Sequence, residues 1–150
     1  MNIKLQRIKS NGRVVDGVLK IHGVEVCHTA ENAIHCCVPG VYTVDVHYCK
    51  HYSRRMLVLT PYPDTSTTII SDDCEVCPDM NFVCQNTNLS TYCPMIKPGN
   101  GAYNRTDGSI LVGERVADGC LIHPYRHYIA LLERVRKVLI RKHPVFLIIE

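Results

Sequence analysis

The chain has 150 residues, 46% of them apolar and 21% charged, a size and balance that support one globular domain with its own core. A formal charge of +3 and a pI near 8.4 are too mild to mark a nucleic-acid binder. No apolar run approaches the roughly 20 residues of a membrane span, and the amino terminus MNIKLQRIKS lacks the apolar centre of a signal peptide. The expectation is a soluble cytoplasmic protein with neither nucleic acid nor membrane as partner. Nine cysteines, an odd number without a secretion signal, point to reduced thiols or metal ligands and away from a disulfide framework.

From Ile3 to Val26, β-branched residues alternate or cluster between turn signals at Asn11-Gly12, Asp16-Gly17 and His22-Gly23, which predicts two or three short antiparallel strands. Val41 to Val46 continue the pattern after Pro39-Gly40, and Met56 to Leu59 form another strand that Pro61 and Pro63 end. Residues 64–94 are rich in Thr, Ser, Asp, Asn and Cys, with little periodicity beyond a short strand at Thr67 to Ile70, and read as an insertion within the single domain 1–150. The run Ile96 to Gly113, IKPGNGAYNRTDGSILVG, holds Pro98, Gly99, Asn100, Gly101, Asn104, Asp107 and Gly108 between two apolar segments, the pattern of a site loop held by strands.

After Pro124, the residues Tyr128, Leu131, Leu132, Val135, Val138 and Leu139 recur at helical spacing with cations between them, which predicts an amphipathic helix closing the fold from above. Val145 to Ile149 is too short for a helix and too apolar for a surface, so a buried final strand is expected. The fold class is therefore mainly β (α+β), a small antiparallel β barrel or sandwich with one C-terminal helix.

Cys74-Glu75-Val76-Cys77 has the spacing that lets two thiolates grip one zinc ion, and Cys84 and Cys93 would complete a four-sulfur site. The competing reading is reduced cysteines that pack the insertion and no cofactor. His47, Cys49 and His51 share strand parity, but scattered half-buried side chains describe them better than a metal site. The helix cations read as a solvated basic face.

PGVYTVDV (Pro39 to Val46), IKPGN (Ile96 to Asn100), DGSILVG (Asp107 to Gly113), CHTAENA (Cys27 to Ala33) and RRMLVLTPY (Arg54 to Tyr62) fall in a familiar order before a helix and a terminal apolar strand. On these blocks the chain resembles an uncharacterised phage and bacterial family, the domain-of-unknown-function family numbered fifty-six seventy-five, over nearly its whole length except the cysteine-rich insertion. That family in turn looks like a distant relative of the L,D-transpeptidases, cell-wall enzymes with a cysteine nucleophile on a β scaffold. The resemblance implies an L,D-transpeptidase-like fold and a reactive site formed by an Ile-His-x-Gly-Asn block and a Gly-Cys-Ile-Leu-Val-Gly block. Here Lys97 stands at the histidine position and Ser109 at the cysteine position.

That double replacement removes the thiolate nucleophile and the imidazole that activates it. Ser109 would need Lys97 as a base with a pKa lowered by burial; a turn serine and a solvated lysine are the expectation instead. Asp118-Gly119-Cys120-Leu121-Ile122 offers a second nucleophile register, with Cys120 as nucleophile and His123 or His127 as partner, although on a strand His123 would face away from Cys120. The catalytic candidates are thus Cys120, His123 and Ser109; the ligand-binding candidates are Lys97, Asn100, Asn104 and Arg105. The first expectation is a phage- or mobile-element-type binding module for a small anionic or cell-wall-derived ligand or a host protein. The alternatives are a cysteine acyltransferase or peptidase acting on peptidoglycan peptides and a zinc-stabilised interaction module. Oligomeric state is left open.

Overall fold

The computed structural model describes residues 1–49, 52–62 and 94–150. The expected strand at Thr67 to Ile70 and the zinc candidates Cys74, Cys77, Cys84 and Cys93 lie outside the described residues. In chain order the elements are β1 (Asn2–Ser10), β2 (Val14–Ile21), β3 (Val24–Asn32), β4 (Gly40–Cys49), β5 (Arg54–Pro61), β6 (Met95–Pro98), β7 (Ile110–Ala117), β8 (Cys120–Ile122), α1 (Pro124–Ile140) and β9 (Phe146–Ile149). The strands pair in the order β3-β2-β1-β9-β4-β5-β6-β7, and β7 pairs back onto β3, so eight strands close a barrel with β8 hung on β7 as a short hairpin arm. Closure leaves no free edge within the ring.

The meander expected from Ile3 to Val26 is β1 to β3. His22 and Gly23, at φ 51° and 78°, form the two-residue hairpin whose turn twists with its strands. Asp16-Gly17, expected as a turn, lies inside β2. The glycine answers a close approach of neighbouring strands: a Cβ there would sit 2.7 Å from Thr29 Oγ1 and 2.8 Å from the Gln6 carbonyl. Asp16 is buried and accepts a hydrogen bond from the Gly119 amide at 3.0 Å, fastening β2 to the turn between β7 and β8.

Most pairings are antiparallel, but β1 with β9 and β6 with β7 are parallel. Parallel neighbours need a long return connection. Helix α1 belongs to the one that brings the chain back to β9, and residues 99–109 supply the other by folding back over β6. The terminal strand runs between β1 and β4, with Leu147 and Ile149 buried as expected and Phe146 and Ile148 half-buried on its other face.

The main core includes Ile3, Leu5, Leu19, Leu57, Ile96, Ile110 and Leu147, and α1 adds Tyr128, Leu131 and Val135 to it. The helix spans one mouth of the barrel, from Val24 to Cys27 of β3 across to Val46 of β4 and Arg55 of β5. Its seat is polar as well as apolar: the Tyr128 hydroxyl donates to the Arg55 carbonyl at 3.2 Å and accepts from the Leu57 amide at 3.3 Å. Burial pushes the Tyr128 phenol up to about 12, keeping it a neutral donor. No helix among the described residues is long and apolar enough to cross a membrane.

Candidate functional site

Alternation along β6 turns Ile96 into the main core and Lys97 to the outer face, where residues 99–109 fold over it. Lys97 is therefore only 2% exposed, where the sequence suggested a solvated side chain. Its ammonium donates to the Asp107 carboxylate and, at 2.8 Å, to the Tyr52 hydroxyl, with the Tyr52 ring centre 5.1 Å away. Burial works to raise the Asp107 carboxyl pKa, but the Lys97 charge and hydrogen bond outweigh it and hold the group below the usual carboxylate value. The second Asp107 oxygen accepts from the Ser109 amide at 3.1 Å, a local turn made by a side chain mimicking backbone. Ser109 is 2% exposed, and its hydroxyl, which makes no well-formed hydrogen bond among the described residues, lies beside the Asp107 carboxylate and adds to the lowering of its pKa.

The loop is fastened along its length. The Leu121 amide donates to the Asn100 carbonyl at 2.7 Å, the Asn100 side-chain amide returns a bond to the Leu121 carbonyl at 3.0 Å, and the Ala102 amide reaches the Gly119 carbonyl at 3.1 Å. The Asn32 side chain donates to the Tyr103 carbonyl at 3.1 Å. Beneath it a satellite core of Val14, Ala30, Ala102, Leu111 and Leu121 fills the space outside the barrel wall. Gly99 packs directly on Leu111, where a Cβ would lie 2.8 Å from Cδ2 and push the leucine side chain aside. Asn100 thus spends its side-chain amide on the scaffold. Asn104 is exposed, Arg105 half-buried, and Arg13 stacks its guanidinium 5.0 Å from the centre of the Tyr103 ring.

Cys120 is a half-buried free thiol at the start of β8, on the face opposite Leu121. No hydrogen bond joins it to an imidazole among the described residues. His123 is not on a strand: it is exposed, left-handed at φ 52°, and sits just before Pro124 opens α1. His127 is half-buried, with Nε2 enclosed and unpartnered among the described residues. It lines a cavity of about 210 Å³ with Glu25, Cys27, Leu131 and Arg134. Burial, aided by Glu25, pushes the Cys27 thiol up to about 12, so at neutral pH it is protonated and a poor nucleophile. Among the described residues no group of three or more His, Cys, Asp or Glu side chains is placed to hold a metal ion.

One arrangement gave no signal in the sequence. Arg7 and Glu31 face inward at the mouth opposite α1, with Arg7 Nη2 2.8 Å and Nε 3.0 Å from the two carboxylate oxygens and the Glu31 side chain fully enclosed. Burial opposes the guanidinium charge, but the Glu31 hydrogen bond and charge more than offset it and raise the pKa. Arg7 also donates to the Cys37 carbonyl at 2.6 Å, and the Cys37 thiol reaches the Gly108 carbonyl at 3.6 Å. This links the mouth to the end of the 99–109 loop. The partners are 24 and 30 residues apart in sequence, with no spacing rule to connect them.

The site is thus a rigid outer loop over a neutralised, buried ion pair, on a closed β barrel with one helical cap. Comparison with family models, with curated proteins and with solved structures finds no match for this chain.

Proposed function

We propose that the chain is a catalytically degenerate L,D-transpeptidase-like barrel of phage or mobile-element type that acts by binding, through the outer surface of the 99–109 loop. One observation carries the reading. At the two positions where the resemblance expects an imidazole and a thiol, Lys97 is already engaged by Asp107 and Tyr52, and Ser109 is buried beside an Asp107 carboxylate that Lys97 holds in its charged, weakly basic form. With its nitrogen spent on Asp107 and Tyr52, Lys97 makes no hydrogen bond to the Ser109 hydroxyl among the described residues and is not placed to take its proton. The loop's cross-links to β3 and β8 give it the fixed geometry that a recognition surface needs, at little ordering cost on binding.

The exposed groups on that surface are Asn104, Tyr103 with its stacked Arg13, and the half-buried Arg105. Two cations, an aromatic face and an amide suit a small anionic ligand with a planar or peptide part, such as a cell-wall-derived stem peptide. Calorimetric titration with peptidoglycan stem peptides tests this: binding that Arg105→Ala and Arg13→Ala weaken, with no mass increase on the intact protein, is the expected result. A stable acyl adduct on Ser109 or Cys120 would overturn it.

A further inference from the structure

The flank where α1 meets the β4–β5 hairpin is unlike the rest of the surface. Residues 124–143 hold six Arg and Lys against one Glu, a surplus of five in a chain whose total is only +3. None of those six cations forms an ion pair among the described residues. Helical spacing places Tyr125, Ile129, Arg136 and Ile140 along one side of α1, clear of the buried stripe of Tyr128, Leu131 and Val135. The three apolar members are left in water: Ile140 is 75% exposed, Tyr125 55% and Ile129 49%. Beside them an open groove of about 310 Å³ has an apolar floor of Val46, Leu139 and Ile140 and arginine walls, Arg55 and Arg136. Arg54 continues the cationic border, stacked 5.2 Å from the Tyr125 ring centre.

We propose that this flank docks the protein on an anionic lipid surface. Charge complementarity selects the occupant: the unpaired arginines face the head groups while Tyr125, Ile129 and Ile140 enter the boundary of the acyl region. A nucleic-acid backbone would satisfy the cations but offers nothing to a 75%-exposed isoleucine set among them. The docking is peripheral, and it is independent of the ligand assigned to the 99–109 loop on the barrel wall.

Sedimentation of the full chain with vesicles tests it, using phosphatidylcholine alone or with about 30% phosphatidylserine at low and high salt. Expected is binding to the anionic vesicles only, weakened by salt. Removing a surface cation costs about fivefold, so Arg55→Ala with Arg136→Ala loses about 25-fold, while Arg55→Lys with Arg136→Lys keeps most of the affinity. Ile140→Asn, which leaves every charge in place, also weakens vesicle binding. The proposal is overturned if the parent protein stays in solution with anionic vesicles, if Ile140→Asn binds like the parent, or if duplex DNA binds more tightly than the vesicles at the same salt.

Discussion

Replacing Asp107 by Asn is the sharpest probe of the loop. The Lys97 side chain is 3% exposed and its ammonium has two partners among the described residues, the Asp107 carboxylate and the Tyr52 hydroxyl. Asp107→Asn keeps the shape but leaves a buried charge with only neutral partners, a defect that costs about 3–5 kcal/mol when a buried pair is broken. Asp107 itself is 33% exposed, so water can reach the ammonium from that side and the lower end applies, about 3 kcal/mol. For a chain of this length that is a fall in melting temperature of roughly 6–12 °C.

Urea unfolding at neutral pH measures the loss, and Lys97→Met with Asp107→Asn should recover most of it, because the paired groups are then both neutral. The pH dependence has a definite sign. Asp107 has a folded pKa below its unfolded value, so its contribution is complete above about pH 4 and disappears as pH falls through the folded value. The parent should therefore lose stability on acidification by more than Asp107→Asn does. A single variant within about 1 kcal/mol of the parent, or a double variant no better than the single, would refute the account of Lys97 as a buried, compensated charge.

Arg7→Met should destabilise by about 3–5 kcal/mol in the same urea assay, since it strands the enclosed Glu31 carboxylate; Glu31→Gln added to it should restore part of the loss. Gly17→Ala forces a methyl against the Gln6 carbonyl and Thr29 hydroxyl and should cost about 1–3 kcal/mol; a neutral effect would mean the β1–β2–β3 seam is looser than described. Under native conditions iodoacetamide should modify half-buried Cys120 well before Cys27, whose thiol is buried and pushed up to about 12. Peptide mapping that finds Cys27 labelled at Cys120's rate at neutral pH would contradict that placement.

The sequence by itself determined the class of fold, because periodicity is a local property. Alternation and turn residues mark the β1 to β3 meander; helical spacing after Pro124 marks α1; five apolar residues after Pro144 mark β9 as buried. It also located the 99–109 loop, since Pro98, Gly99, Asn100 and Gly108 break both regular structures. Tertiary structure alone decided what those elements touch. Asp16-Gly17 looks like a turn because the dipeptide's propensity is local, and becomes mid-strand because three strands crowd at Gly17. Lys97 looks solvated because lysine usually is, and is buried because a parallel β6–β7 pairing makes the chain return across it, where Asp107, ten residues on, neutralises it. The Arg7–Glu31 pair and the closure of β7 onto β3 join residues distant in the chain, and no pattern of spacing encodes such contacts; only the closed ring brings them together.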